Sequence, residues 1–275
     1  MDELLTISDD EYRRIITTLR TVRDIDLTVY QPILLRHRFA RFTCAHGYNN
    51  ASVVIEKLLT DKLFADMFLK EIRINTTEMF RDPQMWTELE QILVQKLNQE
   101  TLLKIWVPDI NGDDELNSLL LILDRNKMLN KSMVYATSPY LKCLEECQEC
   151  LIDSKKYETS EANFQRMDPG NSLAQYLTKN DKYFAFSKEL LGKAIFLKQS
   201  IINDAPPDKG FNLILLRNRT LAYSSNTRRN VLSKLTQCLV QGGYLVIGIG
   251  ENLKGIEQSS QYVPVSKTEN IFRKK

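Results

Sequence analysis

Along residues 9–22, DDEYRRIITTLRTV, apolar side chains recur three and four positions apart, which predicts an amphipathic helix with Ser8 or Asp9 as its N-cap. The same spacing returns over about 31–45, where Leu35, Phe39 and Phe42 share one stripe and Pro32 stands near the first turn. A turn, HGYNN at 46–50, precedes a third helix over 51–59, and further helices are expected over 61–69 and 77–98. No stretch of these first hundred residues alternates as a strand would. From residue 101 the pattern changes to short apolar runs: LLKIWV (102–107), SMVYAT (132–137), KAIFLKQSI (193–201), FNLILLRN (211–218) and GYLVIGIG (243–250). Helical stretches at 115–128, 139–151 and 226–240 fall between several of them. Apolar strands alternating with helices predict an α/β architecture, a parallel sheet covered on both faces with ligands beyond the carboxyl ends of its strands. Residues 155–192 are polar and irregular and read as an inserted subdomain. The tail, YVPVSKTENIFRKK, offers a last strand with Tyr262, Val263, Val265, Ile271 and Phe272 as its apolar positions.

Composition narrows the function classes. With 275 residues, 43% hydrophobic and 26% charged, the chain suits one large domain or a small plus a larger one. A net charge of +2 gives no general pull toward nucleic acid, so any basic surface must be local. The best apolar run, LLLIL at 119–123, is far too short to span a membrane. The opening MDELL lacks the basic-then-apolar layout of a signal peptide, and five unevenly spaced cysteines suit a reducing compartment, so a cytoplasmic protein is expected.

Three segments carry candidate chemistry. RINTTEMFRD (73–82) has two readings: Asn75, Thr76 and Thr77 cap a helix, or Thr77 and Arg81, four apart on one helical face, line a polar cradle for a charged ligand. Cys143, Cys147 and Cys150 have the spacing of a cluster-binding loop, but they lie at i, i+4 and i+7 of an expected helix and read as a packing stripe. DINGDDELN (109–117) resembles the start of a calcium loop, yet Asp114 and Leu120 stand where such a loop needs glycine and an acidic ligand; a turn leading into an acid-capped helix is the simpler reading. The two histidines pair with no nucleophile or metal set, so no metal is expected.

Taken together, DIDLTVYQPILLRHRFARF, RINTTEMFRDP, FNLILLRN and NTRRNVLSKLTQCLVQGGYLVIGIGENL resemble segments of the chemotaxis-receptor glutamate methyltransferases, the CheR family. The second segment is similar to the family's Thr-Asn-x-Thr-x-Phe-Phe-Arg, the third to its Phe-Asp-x-Ile-x-x-Arg-Asn strand. The resemblance implies a helical N-terminal domain (1–74), a connecting helical segment (75–100) and a Rossmann-like methyltransferase domain (101–275) with a small inserted subdomain (155–192). It implies S-adenosylmethionine as cofactor and glutamate carboxylates of a receptor as acceptors. By position it implies Asn75, Thr77, Arg81, Asp114, Glu115, Ser138 and Asn218 at the cofactor, with Arg81 also serving the acceptor carboxylate. The basic helix bearing Arg36, Arg38 and Arg41 is expected to face a chemoreceptor-like partner with an acidic helix, unless these arginines are only a solvated face.

The match departs from the family in places. The small-residue loop Gly-Cys-Ser-Thr-Gly-Glu-Glu-Pro-Tyr-Ser reads Asp109-Ile-Asn-Gly-Asp-Asp114-Glu115-Leu-Asn-Ser118, so aspartate replaces the first glycine. The ribose-binding aspartate reads Ser138, the family's tyrosine falls on Ala222 with Tyr223 one place later, and Gly-His-Ser-Glu-Ser reads Gly248-Ile249-Gly250-Glu251-Asn252. A catalytically impaired relative acting as a signalling binding module is therefore the alternative to an active enzyme.

Overall fold

In the computed structural model, residues 6–73, 78–112, 114–149, 151–179 and 183–275 are described. Contacts divide the chain into two units, Met1–Ile74 with Ala222–Arg228, and Asn75–Leu221 with Arg229–Lys275.

The first unit is built from α1 (Asp9–Arg23), α2 (Pro32–Ala45), α3 (Ala51–Thr60) and α4 (Lys62–Ile72). Each start follows from its sequence. Ser8 and Glu11 form a reciprocal capping box on α1, Asn50 accepts from the Val53 N–H, and Asp61 accepts from the N–H groups of Leu63 and Phe64. The apolar stripes meet in one core around Ile15, Leu19, Phe39, Phe42 and Phe68, with the rings of Phe42 and Phe68 edge to face at 4.6 Å. Residues 222–228 join this unit through an antiparallel bridge between Tyr30 and Tyr223. The Gln31 N–H donates to the Ala222 carbonyl at 2.8 Å.

The second unit contains α5 (Pro83–Ile92), continued by a π-helical turn at Leu93–Leu97, then β1 (Leu103–Val107), α6 (Asp114–Arg125), β2 (Ser132–Ser138), α7 (Leu141–Glu149), β3 (Leu151–Asp153) and α8 (Ser154–Met167). It continues with β4 (Leu177–Lys179), β5 (Tyr183–Phe186), α9 (Lys188–Leu191), β6 (Ala194–Lys198), β7 (Phe211–Leu216), α10 (Ser225–Cys238, counted to this unit from Arg229 on), β8 (Leu239–Ile247), β9 (Tyr262–Pro264) and β10 (Ile271–Lys274). The main sheet has the order β6-β2-β1-β7-β8-β10-β9, and a small sheet has the order β3-β5-β4. β6, β2, β1, β7 and β8 pair in parallel, and β10 runs antiparallel to both its neighbours. β7 is buried along its whole length, as a strand covered on both faces must be. From β1 the chain turns one way to β2 and later the other way to β7, so the crevice between the carboxyl ends of β1 and β7 is the switch point where ligands bind in such sheets.

Three sequence expectations need correction. The helix expected over 77–98 begins at Pro83, because the residue before proline is disfavoured in the helical region; Asp82 has φ 60° and Phe80 φ 54°. Arg81 therefore stands ahead of the helix rather than on it, and Thr77, expected four residues before it on one face, lies outside the described residues. Much of the described part of 155–192 is regular: Ser154–Met167 form α8, whose core-facing positions Ser160 and Asn163 are polar and hide its helical period. The tail supplies two strands, β9 and β10, rather than one. Cys143 and Cys147 are buried on α7, with the Cys143 thiol 3.4 Å from the Ile110 carbonyl; Cys150 lies outside the described residues.

Candidate active site at the switch point

Beyond the carboxyl end of β7 come Arg217, Asn218, Arg219 and Thr220. Asn218 takes φ 57°, a left-handed conformation that asparagine tolerates better than most residues. The buried Glu251 carboxylate, beyond β8, holds this turn. One oxygen accepts from the N–H groups of Asn218 at 2.9 Å and Gly248 at 2.5 Å; the other accepts from the Thr220 N–H at 2.6 Å and hydroxyl at 2.7 Å. Gly248 is required by close approach: a Cβ there would lie 2.3 Å from Asn218 Oδ1 and 2.9 Å from its backbone nitrogen. The Asn218 side chain thus lies against the end of β8, and its Nδ2, itself buried, has no hydrogen-bond partner among the described residues.

Arg217 ties three elements together. Only 2% of its side chain is exposed. Its guanidinium donates to Glu115 of α6 at 2.9 Å, to the Asp82 carboxylate at 2.5 Å and to the Arg81 carbonyl at 3.2 Å, and it lies 5.7 Å from the centre of the Trp86 ring. Burial pushes the Glu115 carboxyl above its ordinary value, and the positive charges of Arg217 and Arg219 oppose that rise.

The segment 78–82 forms a strap secured from outside itself. The Met79 N–H donates to Ser160 Oγ at 3.0 Å, Asn163 Nδ2 donates to the Met79 carbonyl at 3.2 Å, and the Phe80 N–H donates to Ser118 Oγ at 2.9 Å. These bonds, with Phe80 packed on Trp86 and Phe164, hold a phenylalanine in a left-handed conformation that costs about 1–3 kcal/mol.

The loop after β1 opens with Asp109, where the family resemblance expects glycine. Its φ of 54° keeps a left-handed backbone at that place, and aspartate is among the few side chains that adopt it readily. Asp109 is buried. At the start of α6, Asp114 lies 2.7 Å from Lys156 Nζ of α8. At the end of β2, Ser138 is fully buried; its Oγ accepts from the Tyr140 N–H at 3.4 Å and its carbonyl from the Gln199 N–H at 2.9 Å. Gln199, just past β6, donates through Nε2 to the Ala205 carbonyl at 2.6 Å, while its buried Oε1 has no hydrogen-bond partner among the described residues.

Of the expected site residues, Glu115 and the backbone of Arg81 meet through Arg217, next in the chain to Asn218. Asp114 is drawn to Lys156 and Ser138 sits at the β2 tip. The Arg81 guanidinium is partly exposed, 3.9 Å from the Glu78 carboxylate. Asn75 and Thr77 lie outside the described residues. In the helical unit the three arginines separate: Arg36 pairs with Asp9 and lies over Tyr12, Arg38 donates to the carbonyls of Ile72 and Arg73, and Arg41 is exposed. Tyr223 is buried, with its ring 5.8 Å from that of Tyr30.

Sequence reasoning passed over Arg217, Glu251 and the two serines that hold the strap, Ser118 and Ser160, as site residues. A glutamate following Gly-Ile-Gly at a strand's carboxyl end was the available signal for Glu251. Nothing local marked Ser118 or Ser160.

The donor on Asn218 and the acceptor on Gln199, buried and unsatisfied at the tips of β7 and β6, fit a polar nucleoside. A family model described as the CheR methyltransferase SAM-binding domain matches residues 75–269. The chain belongs to the CheR methyltransferase family. Its cofactor is S-adenosylmethionine, and the switch-point location is where the fold places such a ligand. Among curated relatives, the chemotaxis protein methyltransferase of Borreliella burgdorferi is 23% identical over 97% of this chain and 96% of its own length. That of Listeria innocua is 24% identical over 83% and 85%, and that of Vibrio anguillarum 22% identical over 94% and 95%. Among the described residues, no helix is long and apolar enough to cross a membrane.

Proposed function

We propose that this CheR-family methyltransferase esterifies glutamate side chains of a chemoreceptor-like protein in the cytoplasm. The observation that carries the reading is the buried, unsatisfied Asn218 Nδ2 on a β7 tip clamped by Arg217 to the 78–82 strap. When bound, S-adenosylmethionine would supply an electrophilic methyl group, an O–CH3 bond to the glutamate oxygen forming as the CH3–S bond breaks and its electron pair leaves with sulfur. A glutamate acceptor is ionised near neutral pH, so the protein need not supply a strong base. Its contribution is alignment: Asn218 offers one hydrogen bond, Ser138 and Gln199 offer polar atoms at neighbouring tips, and Arg217 fixes the strap that presents Arg81. Asn75 and Thr77 complete this set in the proposal, and Arg81 orients the acceptor carboxylate. Asp114 and Glu115 act by shaping the loop rather than as free carboxylates, since Lys156 and Arg217 engage them. Arg41 is the arginine of α2 best placed to meet an acidic partner helix. The domain roles follow: 1–74 for partner recognition, 101–275 for methyl transfer.

A second reading, a binding module without turnover, is favoured by Ser138, which offers a neutral hydroxyl where the family resemblance expects a carboxylate. Loss of one charge-assisted bond weakens affinity by about one to two decades. Calorimetric titration with S-adenosylhomocysteine tests cofactor use, and labelled methyl transfer to a receptor-like peptide tests turnover. Base-labile label is the expected product; absence of heat at millimolar ligand refutes cofactor use, and binding without label leaves the module.

A further inference from the structure

We propose that Glu251 is a positioning residue for the cofactor, acting through Asn218. The inference rests on the cofactor reading above. A carboxylate sealed from water requires several donors to be stable, and Glu251 has four: three backbone N–H groups and one hydroxyl. All four lie in two short segments, 218–220 after β7 and the first residue after β8. The carboxylate therefore staples the ends of two neighbouring parallel strands, where the ladder of the sheet has stopped. Its own backbone is fixed in turn, because Asn270 Nδ2 donates to the carbonyls of Gly248, Ile249 and Glu251 at 2.7, 3.0 and 2.7 Å.

The consequence falls on Asn218. In its left-handed turn past the end of β7, the Asn218 N–H takes the Glu251 carboxylate as its acceptor at 2.9 Å. Gly248 leaves room for the amide, and the Glu251 bond to the Gly248 N–H sets the distance between the two turns. With both turns fixed, the Asn218 Nδ2 is presented in one orientation while remaining unsatisfied. Without the staple, the amide is free to rotate onto a protein acceptor or to water, and the donor is lost to the ligand.

A double-mutant cycle on S-adenosylhomocysteine affinity, read by calorimetry, tests the inference without needing turnover. Asn218→Ala is expected to weaken binding about tenfold to a hundredfold, and Glu251→Gln, which turns an acceptor into a donor facing an N–H group, by a comparable factor. The double variant should bind like Asn218→Ala alone, to within about twofold. A merely structural role predicts that the two factors multiply, and that outcome, or wild-type affinity in Glu251→Gln, overturns the proposal. If Glu251→Gln does not fold, Thr220→Val removes one of the four donors and leaves the carboxylate in place; its smaller loss should likewise vanish in the Asn218→Ala background, and a persisting loss overturns the proposal. No heat with the wild-type protein overturns the cofactor reading itself, whereas wild-type binding with multiplying factors overturns only the role of Glu251.

Discussion

Replacing Arg217 by methionine keeps an apolar stem against Trp86 and removes the guanidinium. Glu115 and Asp82 then lose their common partner, and the Arg81 carbonyl loses one donor. Breaking a buried pair by removing one member costs about 3–5 kcal/mol, because the remaining charge stays out of water. The side chains of Arg217 and Glu115 are 2% and 11% exposed, so screening by solvent is small. The cost should depend on pH. Burial already raises the folded-state pKa of Glu115 above its ordinary 4.5, and Arg217 is the largest opposing influence. A carboxyl with a raised folded pKa favours the folded state below the unfolded value and loses that contribution as pH rises through the folded value. Removing Arg217 raises the folded pKa further, so the variant loses more stability on the way up and regains more on the way down. The difference between wild type and variant should therefore be larger at high pH than at low pH, changing by at most about 1.4 kcal/mol per pH unit. The assay is urea unfolding followed by tryptophan fluorescence, since both tryptophans, Trp86 and Trp106, belong to the larger unit. A difference below about 1 kcal/mol at pH 7.5, or one that stays constant from pH 8 to 5, would refute the network as described.

Gly248→Ala drives a methyl group against Asn218 Oδ1, and calorimetry should show S-adenosylhomocysteine affinity reduced at least tenfold, while unchanged affinity would mean that the amide is not at the ligand. Ser160→Ala leaves the buried Met79 N–H without its acceptor and should destabilise the larger unit by about 1–3 kcal/mol in the same fluorescence assay; a loss under a few tenths would show that the strap is held elsewhere. Ser8→Ala removes the capping box of α1 and should cost about 1 kcal/mol in unfolding of the helical unit followed by circular dichroism, with no change in cofactor affinity.

Much of the architecture could be read along the chain because its causes are local. Helical spacing, Ser8, Asn50 and Asp61 as caps, and the apolar runs of β1, β2, β7 and β8 act within a turn or a strand. The family resemblance pointed to Asn218 and to the acidic pair Asp114 and Glu115 by position. Their roles were not legible, because burial and partners come from residues far away in sequence: Lys156 for Asp114, Arg217 for Glu115, Glu251 for the turn at Asn218. The strap at 78–82 was misjudged as helix for the same reason. Its segment has ordinary helical composition, and the serines that hold it otherwise stand 38 and 81 residues away.

By itself the sequence determined the run of N-terminal helices, the alternation of apolar strands with helices that makes the parallel part of the sheet, and the membership of the chain in its family, since periodicity and motif order are properties of the one-dimensional string. Only the tertiary structure decided which polar groups are satisfied and which remain open. A hydrogen bond depends on distance and burial between elements packed against each other, and that is how the amide nitrogen of Asn218 came to be left without a partner.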